Sequence, residues 1–272
     1  MQSTTLYLMA CQGLIEPFDS AIFADTQDEP QAVYRHLEWL QEHGDFPILV
    51  KTAGKLGDDL REGRAPRTER LGFISIPTFR RGDNGRPDMG RRQCSYNYKV
   101  LVIENAIRRD LMRLEPYQRV AKGVTVQELI GISLDEIGRA RRMERRTDRP
   151  TWMEYEFPLI DLRMTREDCK TWLTEHGGLP HVVPRSACVF CPMHNDAEWL
   201  NIKAVPEDWA RAVEIDEALR IPGNVVNRKV DKPMYLHRSC VPLAEVPFKQ
   251  AADPREQLNF GFRDECLGVC GV

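Results

Sequence analysis

The chain has 272 residues, 42% hydrophobic and 29% charged, with a formal net charge of −3 and eight cysteines. That balance supports a full globular core and excludes wholesale coating of nucleic acid; no apolar run approaches the roughly 18 residues of a membrane span. No basic segment leads into a long apolar run as in a secretion signal, so the expected setting is cytoplasmic, where reduced thiols serve metal or sulfur chemistry.

Thr5 to Gln12 places Leu6, Met9 and Ala10 at helical spacing, and Ala21-Ile22-Phe23-Ala24 is a short apolar run of the kind that fills a buried parallel strand. A second helix carries Val33, Leu37 and Leu40 on one face, with His36, Glu38, Gln41 and Glu42 on others. Pro47-Ile48-Leu49-Val50 then reads as another strand. Strand, helix and strand in this order predict crossover connections. The expected class is therefore α/β, with a doubly wound, mostly parallel, Rossmann-like sheet. From about Gly54 to Arg92 the composition is rich in Gly, Arg, Asp and Pro. Only Leu71 to Phe79 is able to pack there, which predicts a long loop or lid.

Val100 to Leu114 follows as a helix with Val100, Ile103, Ala106, Ile107 and Leu111 inward. Val126 to Ile132 reads as a strand in which Gly131 lets the backbone approach a ligand closely. Thr165-x-x-Asp168 is a capping box opening a helix that buries Cys169, Trp172 and Leu173, which makes Cys169 a core residue. Glu207 to Arg220 is a further helix with Trp209, Ala212 and Val213 inward; the rest is Pro-rich and irregular. The expected division is an α/β domain over 1–180 and an irregular, cysteine-containing region over 181–272.

Cys94 stands in Arg91-Arg92-Gln93-Cys94-Ser95-Tyr96-Asn97-Tyr98-Lys99, and Cys188-x-x-Cys191 follows Pro184-Arg185-Ser186-Ala187. Neighbouring Arg and Lys favour the thiolate, the form that binds iron or zinc and attacks electrophilic sulfur. Cys266 and Cys270 add a second short pair, and the two pairs together also suit a tetrahedral zinc site. Six arginines between Arg139 and Arg149 form either a phosphate- or sulfate-binding patch or a solvated helix face. His194, directly after Cys191 and Pro192, is a candidate donor to a metal-bound sulfur or substrate oxygen; His176 and His181 read as packing or surface residues.

Taken in order, these segments resemble the phosphoadenosine-phosphosulfate (PAPS) reductase group of the adenine-nucleotide α-hydrolase, or PP-loop, superfamily. The resemblance rests on Asp25-Thr26-x-x-Glu29 after the first strand, Arg92-Gln93-Cys94 with Lys99, and Gly131-Ile132-Ser133-Leu134-Asp135-Glu136 with Arg139 and Arg142. Pro158-Leu159-Ile160-Asp161 and Cys188-x-x-Cys191 complete the order. It implies that Asp25 and Thr26 meet a nucleotide or Mg²⁺, that Ser3 and Thr4 meet its phosphates, with Gly131 beside them, and that Lys99, Arg139 and Arg142 meet phosphate or sulfate. It also implies a [4Fe-4S] cluster on Cys94, Cys188 and Cys191; Gln93 stands where the group has a further cysteine, so either one iron is left open or Cys240, Cys266 or Cys270 completes the site, with Cys270 favoured. Cys266 resembles the thiol nucleophile of a mobile tail.

Two chemistries follow from the resemblance. One is reductive cleavage of PAPS or adenylyl sulfate (APS); the other is ATP-dependent sulfur transfer to a nucleic-acid or small-molecule acceptor, each with a sulfur or electron donor protein. The rival reading is a non-catalytic nucleotide- or nucleic-acid-binding accessory protein with a structural zinc. Gln2-Ser3-Thr4 fits the end of a Gly-rich phosphate cradle. The resemblance therefore implies a strand and a Gly-rich loop upstream of Met1, or else a shortened relative that no longer hydrolyses nucleotides.

Overall fold

β1 (Ala21–Asp25) and β2 (Ile48–Thr52) pair in parallel, Ala21 opposite Ile48 and Asp25 opposite Thr52, and α2 (Gln31–His43) makes the crossover. The computed structural model describes residues 1–62, 76–221 and 232–249. The apolar run predicted for β1 places Phe23 and Ala24 in the core, and α2 buries Val33, Leu37 and Leu40 as its periodicity requires. His36 departs from the expected polar face and is buried. Its Nε2 lies 2.9 Å from Thr4 Oγ1 and its Nδ1 2.9 Å from His181 Nε2, so both ring nitrogens are partnered.

A second parallel pair joins β5 (Val126–Leu129) to β6 (Met153–Glu156), with α5 (Ile137–Glu144) between them. Neither β6 nor α5 is legible as an element in the sequence, because each is short and its apolar residues are few. Among the described residues the two parallel pairs are separate sheets, which makes the fold mixed α/β.

In the stretch expected as a long loop, of which 63–75 lie outside the described residues, the described residues form further elements. α3 (Leu56–Glu62) buries Leu56 and Leu60, and β3 (Phe79–Arg81) pairs antiparallel with β4 (Pro87–Met89). Local composition hid both, since the hairpin is three residues a side and α3 gains its stability from long-range packing. Leu56 and Leu60 join Tyr98, Phe190, Trp199 and Ile215 in the largest apolar cluster, which crosses residue 180.

The helix expected over 100–114 spans 96–111 and changes pitch twice. A π-helical turn over Tyr96–Val100 leads into α4 (Leu101–Ala106), and a second runs over Ile107–Leu111. Val100, Ile103, Ala106 and Ile107 are buried as predicted; Leu111, expected inward, is 40% exposed because the second wide turn rotates it off the packed face. The first wide turn carries Lys99.

α1 (Gln2–Cys11) packs Leu6 and Met9 against Leu159 and Cys169, and Leu8 against Leu40 and Leu173. Tyr7 donates to the Phe46 carbonyl at 2.6 Å. α6 (Pro158–Asp161) leads to α7 (Arg166–His176), whose predicted capping box is formed by Thr165 and Asp168. Cys169 is fully buried in that helix, and burial pushes its thiol up to about 11. α8 (Asp196–Lys203) opens with a second reciprocal cap, Asn195 with Glu198, and α9 (Pro206–Arg220) buries Ala212, Ile215 and Leu219. No described helix is long and apolar enough to cross a membrane.

Candidate functional site

A cavity of about 560 Å³ lies between β1 and β5. Its polar part gathers the side chains that follow the carboxyl ends of the strands. Of the residues predicted for a nucleotide, Ser3, Thr4, Thr26, Gly131 and Arg139 line it; of the catalytic and sulfur set, Cys94, Lys99, Cys188 and Cys191 do.

The polar centre is a connected cluster around Glu29. Lys99 Nζ lies 3.3 Å from Glu29 Oε1 and 3.4 Å from Ser186 Oγ, and the Ser186 hydroxyl reaches Glu29 Oε2 at 3.3 Å. Thr26 Oγ1 lies 3.3 Å from Glu29 Oε1 and 3.2 Å from Cys188 Sγ. Lys99 and Glu29 side chains are 8% and 0% exposed, so this is a buried ion pair whose remaining lone pairs are met by hydroxyls. Burial raises the Cys188 thiol well above its ordinary value and the Glu29 carboxylate raises it further; Lys99 and the Thr26 hydroxyl act in the opposite direction. The balance favours the neutral thiol of Cys188 over its thiolate.

The Cys188-x-x-Cys191 turn is held from behind. Cys191 N–H and His194 Nε2 both approach the Cys188 carbonyl, at 2.8 and 2.9 Å, while Val189 N–H donates to the Asp28 carbonyl at 2.8 Å. His194 thus contacts the peptide of the cysteine turn, which is a positioning role in place of the expected donation to sulfur or substrate. His194 Nδ1 lies 3.6 Å from Glu198, and Arg185 Nη1 bonds both oxygens of Glu198 at 2.7 Å. Burial alone would raise the Glu198 carboxyl, but His194 and Arg185 hold it down at about 2.

The loop after β1 is fixed by Asp28. Its Oδ1 accepts from Arg211 Nε and its Oδ2 from Gly57 N–H, both at 2.7 Å. Arg211 also bonds Asp58 at 2.7 Å and Glu214 at 2.8 Å, which ties α9 to α3 and to the loop that presents Thr26 and Glu29. Gly131 meets a close approach, but from the chain itself. A Cβ there would fall 2.6 Å from Ser3 N and 2.9 Å from Ser3 Cα, so the missing side chain lets the end of β5 touch the start of α1.

Several predicted residues stand elsewhere. Asp25 does not line the cavity: its Oδ1 accepts from Gln27 N–H at 2.7 Å and from the Tyr34 hydroxyl at 2.9 Å, an engagement that stabilises the turn after β1. Arg142 is exposed on α5 and also lies outside the lining, whereas Arg139 reaches in and bonds Glu136 at 3.2 Å. The arginine run is thus divided: Arg146 makes two bonds to Asp148, and Arg149 lies 5.0 Å over the Tyr155 ring. Cys240 is buried away from the cavity, its thiol raised by burial. His176 is exposed, and His181 partners His36. Cys266 and Cys270 lie outside the described residues.

Sequence reasoning gave no substrate-binding role to Ser186, Arg92, Arg166 or Arg185, all of which line the cavity, and none of its own to Glu29, the buried partner of the lining residue Lys99. Their signals were available: Glu29 closes the Asp25-Thr26-x-x-Glu29 motif, and Arg92, Arg185 and Ser186 flank the cysteines.

Among the described residues, no three His, Cys, Asp or Glu side chains are grouped to hold a metal ion. Cys94, Cys188 and Cys191 share one cavity, yet as they stand the described donors do not make an iron or zinc site. No family model matches the chain, and neither a curated protein nor a solved structure matches it significantly.

Proposed function

We propose that this chain is an adenine-nucleotide-binding enzyme of sulfur chemistry, similar in its site to PAPS reductases, and that the cavity between β1 and β5 is its active site. One observation carries the reading: Lys99 and three cysteines drawn from positions 94 to 191 line the same cavity as Ser3, Thr26, Gly131 and Arg139. Thiols and anion-binding groups side by side suit a substrate that joins sulfur to a nucleotide, or a nucleotide whose cleavage drives sulfur transfer.

The residues divide the work. The α1 N-terminus, with Ser3, offers N–H and hydroxyl donors to phosphate, and Arg139 supplies positive charge beside it. Lys99, already desolvated against Glu29, is placed to neutralise a sulfate or phosphate oxygen close to Cys188. Thr26 orients the Cys188 thiol, and the His194 contact fixes its peptide. Reductive cleavage of PAPS or APS and ATP-dependent thiolation both remain within this arrangement, and a sheet of doubly wound type would present the site at its carboxyl edge. An iron-sulfur cluster would require Cys94, Cys188 and Cys191 to draw together with a fourth ligand.

The test is calorimetric titration of the protein with ATP, APS and PAPS, paired with iron, zinc and acid-labile sulfide analysis after anaerobic purification. Micromolar binding of one of these nucleotides, weakened at least tenfold in Lys99→Ala, is the expected result. Failure of all three to bind would overturn the nucleotide reading. Colourless protein with stoichiometric zinc would favour the accessory-protein reading over sulfur chemistry.

A further inference from the structure

Tyr117 is 98% exposed, and its backbone is left-handed, with φ +65°. It stands third in a turn led by Glu115 and Pro116 and closed by the Gln118 N–H on the Glu115 carbonyl at 3.0 Å. A positive φ at that position suits Gly or Asn, and a bulky aromatic there is an outlier. Arg113 also has a positive φ, but that residue ends the 96–111 helix, where the Leu114 N–H returns to the Arg108 carbonyl at 2.8 Å. No such structural reason applies to Tyr117. Its ring serves neither the turn nor the core, and it is held in water against both the backbone preference and the tendency of apolar surface to be buried.

The turn that carries the ring is braced. Arg108 Nη2 donates to the Gln118 carbonyl and Arg109 Nη1 to the Leu114 carbonyl, both at 2.6 Å. The Gln118 side chain accepts from the Glu115 N–H at 2.8 Å. Tyr117 is therefore presented from a fixed support.

Positive charge surrounds it. Over 108–122 and 139–149 the chain carries eleven Arg and Lys against four Asp and Glu, although its total is −3. The two stretches meet at one end of the fold, because each leads into one strand of the β5 and β6 pair. There Val126 lies opposite Met153, and its N–H donates to the Trp152 carbonyl at 2.8 Å. Arg113, Arg119, Lys122, Arg141, Arg142 and Arg145 are exposed and, among the described residues, make no ion pair. Two of the four acids are already neutralised, Asp110 by Lys51 and Asp148 by Arg146, both at 2.7 Å. A positive face concentrated on a chain of negative total charge draws a polyanion to that place alone.

The ring decides which polyanion. An anionic membrane calls for an apolar patch that can insert, and over 113–123 Tyr117 is the one exposed large apolar side chain. Nucleobases offer flat faces for stacking, and only unpaired strands leave those faces open.

We infer that single-stranded nucleic acid binds this face, with one base stacked on Tyr117 and the flanking phosphates on Arg113, Arg119, Lys122 and Arg145. The face lies at the beginnings of β5 and β6, whereas Glu29 follows the end of β1 and holds Lys99 there. It is thus independent of the nucleotide chemistry proposed for the cavity.

Fluorescence anisotropy with labelled dT and rU oligomers of about 16 nucleotides, read from roughly 50 to 200 mM salt, tests it. Micromolar binding of at least one oligomer is expected, weakened roughly tenfold or more in Tyr117→Ala by loss of one stacked base and retained in Tyr117→Trp. Arg119→Gln with Lys122→Gln should reduce the slope of log affinity against log salt by about 1.4, the value for two phosphate contacts on a single strand. An abasic oligomer of the same length should bind the parent chain no better than dT binds Tyr117→Ala. Tyr117→Gly, which suits the turn, should melt no lower than the parent while losing the same affinity; a lower melting temperature would give the ring a structural role and count against the inference. Binding of neither oligomer, or equal binding of abasic and base-bearing oligomers, would overturn it. So would binding confined to phosphatidylserine vesicles, which would assign the face to a membrane.

Discussion

Thr26 Oγ1 lies 3.2 Å from Cys188 Sγ, joining the carboxyl end of β1 to the first thiol of a turn 162 residues later. Because Thr26 also touches Glu29, and Glu29 holds Lys99, this one contact makes the thiol part of a charged network.

Reactivity of Cys188 should follow that network. Burial and the Glu29 carboxylate both raise its thiol, so alkylation at pH 7.5, followed by mass spectrometry of the modified peptide, should be slow and should accelerate as pH rises past 9. Glu29→Gln removes one raising influence and is expected to speed the reaction at fixed pH. Thr26→Val removes a hydrogen bond that favours the thiolate and is expected to slow it.

Loss of Lys99 should cost stability as well as binding. Lys99→Met leaves the Glu29 charge, 0% exposed, with hydroxyl partners only, an expected loss of about 3 to 5 kcal/mol by the usual cost of breaking a buried pair. Urea unfolding measures it. The double variant Lys99→Met with Glu29→Gln should recover most of that loss, since no unpaired charge then remains.

Acid should weaken the packing of α2. Burial, with His181 adding to it, lowers His36 from 6.5 to about 4, so the folded chain binds its proton less readily than the unfolded chain. Stability is therefore full above pH 6.5 and falls progressively as pH drops toward 4, by about 3 kcal/mol for a shift of that size. Chemical denaturation at a series of pH values should show this slope, and His36→Gln should flatten it.

Two glycine substitutions should act in opposite directions. Gly131→Ala drives a Cβ into the backbone of Ser3, which has no rotamer to yield, and is expected to lower stability by about 1 to 3 kcal/mol. Gly138→Ala in α5 meets nothing nearer than Arg142 Nη1 at 3.7 Å and should raise it by about 0.5 to 1 kcal/mol through helix propensity. Thermal melting of both variants checks the pair.

Elements whose signal is local were legible in the chain. The apolar run of β1, the periodic face of α2, the Thr165–Asp168 cap and the core placement of Cys169 all depend on residues within a turn or two of one another. α3, the 79–89 hairpin and β6 escaped notice because each is too short to carry a period and is stabilised by distant partners. Cys94, Cys188 and Cys191 stood out by their Arg- and Lys-flanked contexts and Lys99 through the family resemblance, and all four line one cavity.

What tertiary structure alone decided is where each of those side chains turns and what it meets there. Parallel pairing and the path of the helix over 96–111 bring Glu29 to Lys99 across 70 positions. Tyr34 draws Asp25 off the cavity, and the approach of α1 gives Gly131 a backbone neighbour in place of a ligand. Burial period is fixed by neighbours along the chain; convergence depends on register and loop path, which no short stretch of sequence contains.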